Sequence, residues 1–122
     1  MHAGDIFAGK TVPLVDMGNG GSGVAYPDTL MKAYNGITNV DTIITGHASA
    51  TMRWADLKEY SDFNRDFLTW VQGQMNAGRS PEQAAAEYTV PERFKGYTAN
   101  LPPFFGGMAG YIKGMYGELQ RR

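Results

Sequence analysis

Cysteine is absent from the 122 residues. That absence excludes a disulfide framework, a thiolate metal site and a cysteine nucleophile, and it leaves the redox compartment open. Histidine is nearly absent, since His2 and His47 stand alone. Two are too few for a self-contained histidine-rich metal centre. Net charge is scarce as well: 11 Lys and Arg oppose 12 Asp and Glu, for a formal −1. So near-neutral a chain makes no electrostatic case for nucleic acid or an acidic membrane as partner. No apolar run approaches the roughly 18–20 residues that cross a bilayer. No amino-terminal stretch has the basic-then-apolar form of a signal peptide, so the localisation is left open.

What is present looks globular. With 43 % hydrophobic and 19 % charged residues, wholesale disorder is excluded on composition. The length suits one domain with a modest core, or a piece of a larger one. Met1 and His2 lead at once into Ala3-Gly4-Asp5-Ile6-Phe7, which reads as a strand ending in a loop. A buried strand with no lead-in favours a missing upstream portion, so the chain is read as a single partial domain over 1–122.

Residues from Gly9 to Gly23 carry Pro13, Asp16, Asn19 and several glycines, a loop composition. Ser22 is placed to cap a helix from Val24 to Asn35, with Pro27 and Asp28 in its first turn. Gly36 is a natural stop, because glycine accepts a left-handed backbone. Val40-Asp41-Thr42-Ile43-Ile44-Thr45 reads as a short, mostly buried strand, followed by the loop Gly46-His47-Ala48-Ser49. The spacing of Leu57, Tyr60, Phe67, Leu68, Val71 and Met75 predicts a long helix from Trp54 to Ala77. Phe63 and Trp70 widen its apolar stripe to two layers, and Asn64 interrupts it. Gly78 ends that helix. Ser80-Pro81-Glu82-Gln83 is a capping box with proline at the first helical position, opening a short helix to Tyr88. Residues 90–122 read as a proline- and aromatic-rich connector to Gly107, then a terminal amphipathic helix.

Three glycine patterns compete for attention. Gly4 to Thr11 fits the P-loop spacing G-x-x-x-x-G-K-[ST] to the letter. A P-loop needs a strand before it and a long helix after it, whose amides hold phosphate. Pro13 and the later glycines oppose that helix. Gly18 to Gly23 matches G-x-G-x-x-G, with Asp41 downstream as a ribose ligand, but the preceding strand is short and holds a proline. Gly106, Gly110 and Gly114 are spaced for close helix packing, while Lys113 and Glu118 oppose membrane burial. Asp5 and His47 are the better candidates. Each sits just after an apolar strand beside a glycine, and strand carboxyl ends are where sites collect. A carboxylate can bridge two cations, and a neutral imidazole is a common zinc ligand.

The order Gly4-Asp5-Ile6-Phe7, Asn19-Gly20-Gly21-Ser22, helix, Val40 to His47, then Ala55-Asp56-Leu57-Lys58-Glu59-Tyr60 resembles the second half of metallo-β-lactamase-fold hydrolases. The resemblance covers Met1 to Tyr97. It implies an α/β fold, the carboxyl-terminal half of an αββα sandwich with few strands and flanking helices. It also implies metal-dependent hydrolysis of an ester, amide, thioester or phosphoester, with zinc in a dinuclear site. Asp5 would be the bridging carboxylate and His47 a terminal imidazole ligand. Thr45 replaces the proline of the family's Pro-Gly-His, and Ala48 follows where glycine is usual. The family's H-x-H-x-D-H signature is nowhere in the chain, so the hydrolase is incomplete as given, and zinc binding by this chain alone is weak or absent. A His/Asp site accepts several metals, so the donors do not single out zinc. The expected partners are a small-molecule substrate and either a missing amino-terminal half or a second copy. The alternatives are an inactive structural or oligomerising half-domain and, at lower weight, a P-loop nucleotide-binding protein.

Overall fold

A computed structural model describes residues 1–17, 20–48, 50–99, 101 and 106–121. The chain is α/β, with a small mixed sheet and four helices among the described residues. Strand β1 (His2–Gly4) runs parallel to β2 (Thr42–Thr45), and β2 pairs antiparallel with β3 (Met52–Arg53). β2 is therefore central and β1 lies at an edge. The helices are α1 (Tyr26–Gly36), α2 (Trp54–Asn76), α3 (Pro81–Glu87) and α4 (Gly107–Gln120).

The first strand ends earlier than its apolar residues suggest. Gly4 takes φ +55°, which turns the chain out of the sheet, and Asp5–Phe7 form a 3₁₀ turn. That turn buries Phe7 completely and stacks it on Tyr60 of α2, with ring centroids 4.4 Å apart. β2 alternates where a mostly buried strand was expected. Ile43 and Thr45 face the core, while Thr42 and Ile44 face out, with Ile44 51 % exposed. Alternation is the signature of a strand covered on one face.

α2 is the central element. Leu57, Tyr60, Phe63, Phe67 and Val71 are all but fully buried. One flank packs against α1, another against α4. The wider stripe meets the connector and the end of α3: Phe63 lies 4.5 Å from Tyr97, and Trp70 4.9 Å from Tyr88, between ring centroids. Asn64 is buried but satisfied, because its amide donates to the Tyr60 carbonyl at 2.8 Å. The Ser61 hydroxyl likewise donates to the Pro27 carbonyl of α1 at 3.2 Å.

The ends of α3 and α2 follow their local chemistry, and both ends of α1 depart from it. Ser80 and Gln83 exchange both bonds of a capping box at α3, and Gly78 takes φ +76° after α2. Gly36 is instead the last helical residue of α1. The chain leaves at Ile37 with extended geometry, and the left-handed residue is Asn39, at φ 62°. Ser22 caps the turn ahead of α1 rather than the helix itself, accepting the Ala25 N–H at 3.0 Å. Glu118 of α4 holds that turn: Ser22 Oγ donates to one carboxylate oxygen, and the Gly23 N–H donates to the other at 3.0 Å. Along the glycine stripe of α4, Gly114 meets the side chain of Met17. A Cβ there would overlap Met17 Sδ in the preceding loop.

Candidate metal centre

β1 and β2 run side by side in the same direction, with Gly4 opposite Thr45. Their carboxyl ends therefore deliver the next residues to one place. The pairing continues past the strands: the Gly46 N–H donates to the Phe7 carbonyl at 3.4 Å, and the His47 N–H to the Ala8 carbonyl at 3.0 Å. Gly46 is required by space. A Cβ there would overlap the Asp5 carboxylate and come within 2.8 Å of the Gly4 carbonyl oxygen. The outcome is that His47 Nε2 sits 2.9 Å from Asp5 Oδ1. Both side chains stay open to solvent, at 71 % and 79 %.

This geometry is a hydrogen-bonded ion pair or its neutral equivalent. It also suits two donors of one metal. A tetrahedral zinc with ligands at 2.0–2.1 Å holds two donor atoms about 3.3 Å apart, so the pair needs to open by only a few tenths of an ångström. The donor chemistry fits zinc as far as it goes, with one oxygen and one nitrogen. Among the described residues no group of three or more His, Asp or Glu could hold a metal ion. His2 stands on β1 opposite Ile44.

Two residues outside the pair shape it. The Tyr26 hydroxyl, from the first turn of α1, donates to the Ile6 carbonyl and pins the turn that carries Asp5. Burial raises the Tyr26 pKa above 10.0; a hydrogen bond with Tyr60 opposes this, and the charge of Asp5 adds to it. Lys10, the lysine of the P-loop spacing, reaches away to α2. Its ammonium lies 3.6 Å from Asp56 and 3.7 Å from Glu59, and 5.8 Å from the Tyr97 ring centroid. The segment Gly4–Thr11 thus bends through a 3₁₀ turn, residues 12–16 are not helical, and α1 begins only at Tyr26. That is not the strand–loop–helix a P-loop requires. Gly18 and Asn19 of the dinucleotide pattern lie outside the described residues.

A cavity of about 490 Å³ borders the pair. Asp5 and His47 line it with Ala8, Leu14, Ala48 and Leu101, and Lys10 also borders it. Its floor is braced, because Lys10 to Val12 pair with Thr98: the Thr98 N–H donates to the Lys10 carbonyl at 3.0 Å, and the Val12 N–H to the Thr98 carbonyl at 3.1 Å. Neither a protein-family model, nor a curated protein, nor a solved structure matches the chain.

Proposed function

We propose that this chain is the carboxyl-terminal half of a metal-dependent hydrolase of the metallo-β-lactamase type, an αββα sandwich whose other half lies outside these 122 residues. One observation carries the reading: an exposed carboxylate and an exposed imidazole meet at 2.9 Å on the tips of two parallel strands. Asp5, through its carboxylate, and His47, through Nε2, are the residues that would hold the metal. When bound, zinc acidifies water and polarises the bond to be cleaved. The chain's own residues position and hold. Gly46 lets the two side chains meet, Tyr26 fixes the Asp5 turn, and the His47 N–H bond to Ala8 sets the depth of the ring. A catalytic zinc takes three protein ligands and keeps one position open, so one Asp and one His leave the remaining donors to another polypeptide segment.

The test is a zinc titration of the complete protein, this chain with its amino-terminal half, against a chromophoric chelator. Asp5→Ala and His47→Ala should each weaken zinc binding at least tenfold. Equal zinc affinity in the native protein and both variants overturns the assignment.

A second reading has its own support. Ile44 is 51 % and Ile6 38 % exposed, and β1 is an edge strand. An exposed apolar face beside an edge strand favours self-association. In this reading the half-domain is an inactive oligomerising module, and sedimentation of a stable monomer removes it.

A further inference from the structure

We propose that the cavity beside the Asp5–His47 pair receives an uncharged aliphatic chain, which makes the substrate a neutral acyl compound: an ester, thioester or amide of an aliphatic acid. The bond assigned rests on the hydrolase reading above, whereas the binding of the chain stands on the cavity alone. Hydrolysis of such a bond joins the water oxygen to the acyl carbon and breaks the carbon–heteroatom bond. The leaving alcohol, thiol or amine takes the water proton.

Three features point to this ligand. The volume, about 490 Å³, lies within the range of small-molecule sites. Most of the exposed lining is apolar, from Ala8, Pro13, Leu14, Ala48 and Leu101, and Leu14 stands 46 % exposed, a large side chain left for a ligand to cover. The charges at the rim do not call for an ionic tail. Lys10 is already matched by Asp56 and Glu59, and Asp5 is matched by His47. The Thr98 pairing holds the floor in place before binding, so little ordering cost opposes it. The larger groove along α2, about 660 Å³, lacks this character. Its charges are matched within the chain, as Lys58 with Asp62, Arg65 with Asp28 and Arg93 with Asp66.

The experiment is a ¹H–¹⁵N NMR titration of the chain in EDTA, with octanamide, acetamide and suberamate as probes. Suberamate matches octanamide in length but ends in a carboxylate. Octanamide should bind with shifts at Ala8, Leu14 and Ala48, and both other probes at least tenfold more weakly. Leu14→Asp should weaken octanamide at least tenfold without changing the melting temperature, and Leu14→Met should restore it to within about twofold. No octanamide binding up to millimolar concentration overturns the proposal, as does suberamate binding equally well, or an unaffected Leu14→Asp variant. Because EDTA removes metal, octanamide binding together with a failed zinc titration rejects the metal assignment and keeps the cavity.

Discussion

Gly46 has no side chain because Asp5 occupies the space one would need. Gly46→Ala therefore forces either the carboxylate or the loop to move. Overpacking of this kind costs about 1–3 kcal/mol, which should appear as a lower urea midpoint. Zinc affinity should fall with it, since the displaced carboxylate leaves His47. A variant with native midpoint and native zinc affinity contradicts the packing. Asp5 and His47 were legible as candidates because each follows an apolar run and neighbours a glycine. Tyr26 was not, because its contact with Ile6 joins an ordinary helix start to a loop, and no spacing rule marks that pairing. Lys10 was legible only as a letter in a nucleotide pattern. Its partners on α2 are a tertiary matter that the local string does not record.

At the level of elements, the entry to α1 depends on the exit of α4. Glu118 accepts from Ser22 Oγ and the Gly23 N–H, and Ser22 in turn accepts from Ala25. Hydrogen bonds to a charged group contribute about 1.5–3 kcal/mol, reduced here by partial exposure. Glu118→Ala should lower stability by about 1–2 kcal/mol, and hydrogen exchange should quicken selectively at residues 23–29. Uniform loss of protection across the chain contradicts this local role. The long helix α2 and the capping box of α3 were readable, since periodicity and a four-residue motif are local facts. β3, with two residues, is too short to carry a period. The alternation of β2 was hidden because Ile43 and Ile44 are alike in sequence and opposite in burial.

For the whole molecule, buried tyrosines couple folding to pH. Burial raises the pKa of Tyr60, Tyr97 and Tyr111 above 10.0 and pushes Tyr88 up to about 12. A raised native pKa means that the folded state keeps its proton after the unfolded state has lost it. The associated stability is full below pH 10 and declines as pH rises from 10 towards 12. Urea midpoints should be level up to pH 10 with respect to these groups and fall above it. Phenolate absorbance at 295 nm should rise together with unfolding rather than before it. Phenolate formation by most of the tyrosines in a still-folded chain contradicts this assignment. The α/β class was legible from alternating strand and helix patterns. The outward face of Ile44 was not, because what a sheet faces is settled by tertiary packing rather than by the local string.

The Glu118 tie also orders events during synthesis. Chains emerge from the ribosome amino end first, and segments fold as they appear. The loop and helix that follow Asp5 leave the exit tunnel before α4, and the carboxylate that clasps their junction is translated 96 residues after Ser22. The nascent polypeptide therefore holds the junction ahead of α1 unlatched until α4 arrives to close it.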